Sequence, residues 1–270
     1  MSYRLKRDEK LSDGIRRIAG RQAEGIGECL AHGARQSNAI HDARTHIKKL
    51  RALARLVREQ LGEKSYSKCN DILKGIAKSL SPSRDAHVRL RTLDRLKAAH
   101  PESSLRHPKL RTLLTNARES KLHANSRLAD WQKREVRRLK EMVGTWEFNG
   151  IRKKALKKGI AHSRRRVRNS FKMAKETPTV ENLHAWRKAT KDLMNQMAVV
   201  EKVEEVSDKQ MAILEKLGKY LGDDHDLAMF EAKAGELFLP VLKPIRKLVH
   251  KRREALQKTS FQLGRKLKSV

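Results

Sequence analysis

The chain has little of what most small folds and many binding modules use. Its only two cysteines, Cys29 and Cys69, stand far apart and form no CxxC pair. A disulfide framework or cysteine-based zinc site is not expected, and a reduced cytosolic setting is. Fourteen glycines and six prolines in 270 residues are too few for a turn-rich all-β protein or a Gly/Pro linker. The longest apolar run, Leu237 to Leu242, is far short of the roughly 20 residues that cross a bilayer. The first residues carry no apolar stretch, so no signal peptide is expected. Aromatic residues are 4% of the chain, too few to suggest the stacking platforms that read single strands and RNA. Acid is scarce as well: 31 Asp and Glu oppose 63 Lys and Arg, for a net charge of +32. Self-repulsion of that size disfavours a compact chain unless something anionic offsets it. A polyanionic partner is therefore expected, with nucleic acid, an anionic membrane and a phosphate polymer all open.

What is present is helical periodicity. After Ser37 the apolar positions are Ile40, Ala43, Ile47, Leu50, Ala54, Val57 and Leu61, spaced 3 and 4 in alternation. That spacing is one buried helix face. Tyr66, Cys69, Leu73, Ile76 and Leu80 repeat it, and so does the stretch from Leu110 to Met142. No period-two strand stands out. Proline and glycine punctuation predicts about ten helices. Ser81-Pro82 reads as a helix start, with Pro101, Pro108, Pro178 and the Pro240/Pro244 pair marking others; Gly33, Gly62, Gly150 and Gly222 read as helix ends.

The chain also repeats itself. His41-Asp-Ala-Arg44-Thr-His-Ile-Lys48 and His184-Ala-Trp-Arg187-Lys-Ala-Thr-Lys191 share H-x-x-R-x-x-x-K, 143 residues apart. Leu73, Ile76 and Leu80 are matched by Leu214, Leu217 and Leu221, 141 residues later, and Ser83-Arg84-Asp85-Ala86 by Asp224-His225-Asp226-Leu227 at the same offset. Three features in one order imply a duplication: two five-helix halves, roughly 10–145 and 150–268, joined near 147–150 and expected to form a single unit over 1–270.

Shifting each apolar position from Ile40 to Val57 by one gives His41, Arg44, Lys48, Arg51, Arg55 and Arg58, all basic. One residue is about 100° of rotation, so a cationic stripe borders the buried face. The second copy supplies His184, Arg187 and Lys191, and the helix before it Arg164, Arg165, Arg168 and Lys172. A solvated face is the ordinary explanation of a charge run. This one abuts the core and lacks the acidic i,i+4 partners of an exposed helix, which favours an anion contact. His41 and His184 read either as structural histidines or as phosphate donors. Asp85 and Asp226 read as carboxylates that orient stripe arginines. Asp223, Asp224 and Asp226 would charge a helix N-terminus, with Asp223 and Asp224 expected to be dispensable for binding. The alternative, a metal-dependent phosphohydrolase built on His41, Asp42, His46 and this acidic cluster, suffers from the five-residue His spacing. No P-loop, dinucleotide fingerprint, HExxH or zinc pattern occurs.

Together, His41 to Arg51, Leu80-Ser-Pro-Ser-Arg84-Asp85-Ala-His-Val88, His184 to Leu193 and Leu221-Gly-Asp-Asp224-His225-Asp226-Leu-Ala228 resemble the CHAD domain, an α-helical domain named for its histidines. The resemblance runs over nearly the whole chain. It implies an all-α fold of two pseudo-symmetric helical bundles around a basic cavity, and binding of inorganic polyphosphate on polyphosphate granules. It assigns His41, Arg44, Lys48, Lys49 and Arg51 to the first basic helix, continued by Arg55. His184, Arg187, Lys188 and Lys191 fall to the second, and Arg165 and Arg168 to the helix before it. The expectation is a cytoplasmic polyphosphate binder with no catalytic residues, no metal, no cofactor and no membrane partner. A non-specific DNA or RNA backbone binder is the alternative, and a metal-dependent phosphohydrolase the second.

Overall fold

The computed structural model describes residues 3–33, 37–100, 108–148, 150–236 and 242–268. Among these residues the secondary structure is helical throughout. The elements in chain order are α1 (Leu11–Gly33), α2 (Ser37–Leu56), α3 (Arg58–Ala99), α4 (Pro108–Ser126), α5 (Ala129–Gly144), α6 (Lys153–Glu176), α7 (Val180–Val200), α8 (Asp208–Glu236) and α9 (Leu242–Lys268). Local chemistry sets several of the ends. Thr179 follows Pro178 and caps α7, its side chain accepting from the Asn182 amide at 3.2 Å and satisfying one of the free first-turn donors. Gly150 takes φ +68 between α5 and α6, a left-handed backbone that glycine adopts at little cost.

The packing follows the duplication. In the first half α1 packs on α2, α2 on α3, α3 on α4 and α1 on α5; in the second α6 packs on α7, α7 on α8, α8 on α9 and α6 on α9. The halves meet through equivalent helices, α2 against α7 and α3 against α8. Three apolar clusters result. One joins α1, α2, the first part of α3 and α5, and takes in Val199 and Val200 from α7. A second joins α6, α7 and α8 around Phe171, Trp186 and Leu217. The third belongs to both halves: Leu90, Leu93 and Leu96 of α3 and Leu110 and Leu114 of α4 meet Leu227 and Phe230 of α8 and Ile245, Val249 and Leu256 of α9. Polar contacts stitch the α2–α7 contact, with Gln196 Nε2 donating to the Ala52 carbonyl at 3.1 Å and Asp192 accepting from Arg55 of α2 and Arg166 of α6.

Three expectations from the punctuation need correction. Pro82 does not start a helix; it lies inside α3. A proline there removes a donor and crowds the preceding turn, and burial of Leu80, Ser83 and Ala86 on either side carries the helix through. Gly222 does not end a helix and Asp223–Asp226 do not begin one, since all lie within α8. Gly62 does break the path: its φ of +72 kinks α3 near its start. The first half thus has five described helices, as expected, and the second has four, α8 running on through Gly222. Pro101, Pro240 and the apolar run up to Val241 lie outside the described residues.

α6 crosses α2 at Gly159. A Cβ there would stand 2.2 Å from the Leu56 carbonyl oxygen, which is backbone and cannot swing aside. Gly159→Ala should destabilise the fold by about 1–3 kcal/mol, the usual cost of overpacking, read as a lower urea midpoint. Gly144→Ala, where a Cβ meets nothing within 4 Å, should leave the midpoint unchanged or raise it slightly.

Candidate functional site

The four central helices α2, α3, α7 and α8 bring basic side chains of both halves to one seam. Arg44 reaches from α2 onto α3, where its Nη1 donates to the Ala77 carbonyl at 2.8 Å and to Ser81 Oγ at 2.9 Å. Ser81 Oγ in turn donates to Ala77 O at 2.9 Å. The guanidinium thus supports the turn of α3 that Pro82 interrupts. The second half does the same with glycine. Gly218 and Gly222 stand 141 residues after Ala77 and Ser81. A Cβ at Gly218 would lie 2.7 Å from Lys191 Cε, and one at Gly222 would lie 3.4 Å from Arg187 Nε. The absence of side chains on this face of α8 lets the two α7 cations lie flat across it, at the positions equivalent to Arg44 and Lys48.

The electrostatics of the seam are those of crowded like charge. Lys48 reaches solvent, yet protein atoms crowd its amine. Loss of hydration, followed by Arg187, Arg44, Arg84 and Lys191, lowers its pKa to about 8. Lys191 is pushed below its ordinary value by burial and then by Arg187. Arg187 is lowered by burial against the pull of Asp226 and Asp223, and Arg84 by burial and then Arg91. Asp85 and Asp226 are the carboxylates of the seam. Burial raises both, against the cations beside them: Arg44, Arg89 and Arg84 for Asp85, and Arg187, Arg84 and Arg91 for Asp226. Among the described residues, Lys48, Arg84, Arg91 and Arg187 form no ion pair. The Arg187 Nε is also buried without a hydrogen-bond partner.

The sequence-derived candidates divide in the structure. His41, Arg44, Lys48, His184, Arg187, Lys188 and Lys191 come together at the seam, where they act on one another's charge. Lys49 turns away, its ammonium 5.1 Å over the Tyr3 ring. Arg51 donates from Nε to Asn70 Oδ1 at 3.0 Å, and Arg55 is taken by Asp192. Arg165 is exposed on α6, and Arg168 borders a cavity in the second core beside Phe171 and Trp186. His46 leaves the candidate metal set: its Nδ1 pairs with Gln22 Oε1 at 2.9 Å, against Gly25 of α1.

Sequence reasoning missed Arg84 and Arg91 of α3 as seam cations. They stand seven residues apart, two turns on one face, a spacing already present in the sequence. It also missed His225, which stacks on His184 with ring centroids 4.1 Å apart.

Asp224 behaves differently from the expectation. It is 2% exposed, and its Oδ1 accepts from Arg253 Nε at 3.1 Å and Gln257 Nε2 at 2.9 Å, which ties α8 to α9. Asp223 pairs loosely with Arg95 of α3 at 3.4 Å. Among the described residues no three His, Cys, Asp or Glu side chains are grouped to hold a metal ion. No described helix is long and apolar enough to cross a membrane.

A duplicated all-helical fold with a cationic seam between its halves defines the class. The family model of the CHAD domain matches residues 23–235, and the chain belongs to that family. The crystal structure of the CHAD domain from the plant Ricinus communis superposes with a TM-score of 0.73 at 17% identity, covering 100% of this chain and 96% of that one. At that identity the likeness concerns the fold. A comparison with curated proteins returned no match.

Asp224→Ala should cost about 1–3 kcal/mol, because the buried donors of Arg253 and Gln257 lose their carboxylate while Glu231 still holds the Arg253 charge. Asp223→Ala should cost less than about 1 kcal/mol, as expected of a partly exposed pair. Denaturant midpoints of the two variants against the parent check the contrast.

Proposed function

We propose that the protein binds inorganic polyphosphate along the seam between its two halves and acts as a binder, not an enzyme. The observation that carries this reading is the convergence of basic side chains from both repeats around fewer carboxylates, chiefly Asp85 and Asp226. Lys48, Arg84, Arg91 and Arg187 lie together without ion pairs. Gathering like charges in a partly desolvated place costs free energy in the free protein, and a linear anion returns it. Arginines supply forked donors to phosphate oxygens and lysines supply point charges. A flexible chain of phosphates needs spaced cations and no base-reading surface.

A second observation favours polyphosphate over single-stranded nucleic acid. The exposed large apolar side chains among the described residues are Leu113, Leu128 and Met173, none aromatic, while Trp146 and Trp186 are buried. Among the described residues no fully exposed aromatic ring offers bases a stacking platform. Association with polyphosphate granules belongs to the same proposal and follows from the family resemblance.

The test is competition binding at physiological salt among long-chain polyphosphate, single-stranded DNA, duplex DNA and RNA, with polyphosphate expected to win. Lys48→Glu combined with Lys191→Glu should weaken polyphosphate binding at least tenfold. Arg134→Glu combined with Arg137→Glu, the same charge change on exposed positions of α5, should weaken it far less. Equal losses from both pairs would mean that net charge alone binds. Affinity should also fall steeply with salt, because each neutralised phosphate releases counterions.

A further inference from the structure

His184 of α7 and His225 of α8 lie ring on ring, centroids 4.1 Å apart and planes 24° from parallel. Both carry a buried Nδ1 without a hydrogen-bond partner. The charged groups that face the pair are all basic: Lys48 from α2, Arg187 and Lys188 from α7, and Arg253 from α9. The nearby carboxylates are engaged elsewhere. Asp224 is bonded to Arg253 and Gln257, and Asp226 faces Arg187, Arg84 and Arg91. Burial, followed by His225, Lys188 and Arg187, pushes His184 down to about 3. Burial and then Arg187, Lys188 and Arg253 push His225 down to about 4. In the free protein both imidazoles are neutral at any ordinary pH, each with one N–H and one bare nitrogen.

A bound polyanion reverses the cationic cause. It screens the same four cations, and its negative charge favours the charged form of a ring beside it. The stacking limits the response. With ring centroids 4.1 Å apart, a second charge would repel the first directly, so the titration belongs to the pair. We propose that docking of a phosphate chain loads the stacked His184–His225 pair with one proton from solvent, which makes the pair a pH-dependent contact of the polyanion site. This rests on the polyphosphate reading above and adds to it a proton as a second ligand.

The sign follows from linkage. Protonation is favoured in the bound state, so affinity rises as pH falls below neutral. The slope approaches about tenfold per pH unit where the bound pair is protonated and the free pair is not. Lys48, held at about 8 in the free protein, gains protons on binding in a higher window, so measurements from pH 5.5 to 7 avoid it. His41 and His87 are also lowered, with Arg84 and Arg91 among the causes. Comparison with the double variant removes their contribution.

Proton uptake is read by calorimetry of long-chain polyphosphate binding at pH 6 in buffers of different ionisation enthalpy. Wild type should take up about one proton more than His184→Gln/His225→Gln. Each single variant should retain that uptake, because a lone ring still meets the phosphate. Equal uptake in wild type and double variant, or a difference of two protons, would overturn the proposal. Should the double variant not fold, the histidine Cε1–H resonances of wild type at pH 6 decide the question: saturation with polyphosphate should shift the pair towards imidazolium by about one ring in two, and no shift overturns it. Absence of polyphosphate binding by wild type would defeat the functional reading and this inference with it, whereas binding without pair-dependent uptake defeats this inference alone.

Discussion

Repulsion among like charges at the junction of the two halves is the constraint around which the structure is arranged. Lys48, Arg44, Arg84, Arg91, Arg187 and Lys191 come from three helices and both repeats; Asp223 and Glu215 act on Arg187 and Lys191, and the carboxylates that act on at least two of these cations each are Asp85 and Asp226. Burial raises the pKa of both carboxylates, so even this counter-charge is imperfectly held. A seam of this kind stays closed only because packing elsewhere outweighs it. The apolar cluster shared by α3, α4, α8 and α9 and the insertion of Val199 and Val200 into the first core provide that packing.

The basic residues accordingly do two jobs. Some build the scaffold. Arg55 and Arg166 converge on Asp192 where α2, α6 and α7 meet, Arg253 holds Asp224 and Glu231 between α8 and α9, and Arg44 supports the turn of α3 that Pro82 weakens. Others have no ion pair and remain available to an anion. The ion-paired arginines named here lie between scaffold helices, whereas Lys48, Arg84, Arg91 and Arg187 meet at the seam with no ion pair. Glycine contributes where close approach demands it: Gly218 lets Lys191 rest against α8, and a Cβ there would stand 2.7 Å from Lys191 Cε and displace its amine.

Much of this was legible in the sequence. The 3/4 spacing of Ile40 to Leu61 reports a helix face directly, and the repeated H-x-x-R-x-x-x-K reports the pairing of α2 with α7, because equivalent residues of a duplicated fold occupy equivalent places. The all-helical architecture and the family followed from these. Pro82 misled, because a local rule about helix starts gave way to tertiary burial on both sides of it. That misreading hid the continuity of α3; Arg84 and Arg91 escaped for another reason, since Asp226 and Arg187, with which they gather, lie more than 90 residues away on α8 and α7. Asp224 misled for the opposite reason: its partners Arg253 and Gln257 are about 30 residues away on another helix, and no local pattern announces them. The outward turn of Lys49 and the capture of Arg55 likewise depend on Tyr3 and Asp192, which lie far from α2 in sequence.

The central claim is that one polyanion is held at the seam by cations of both halves. Lysine acylation footprinting, with and without an equimolar amount of long-chain polyphosphate at physiological salt, tests it most directly. Lys48 of α2 and Lys191 of α7 should be protected together, while Lys133 and Lys140 on exposed positions of α5 and Lys247 and Lys251 on exposed positions of α9 should react as in the free protein. Uniform protection of all these lysines, or protection confined to the outer helices, would contradict the account.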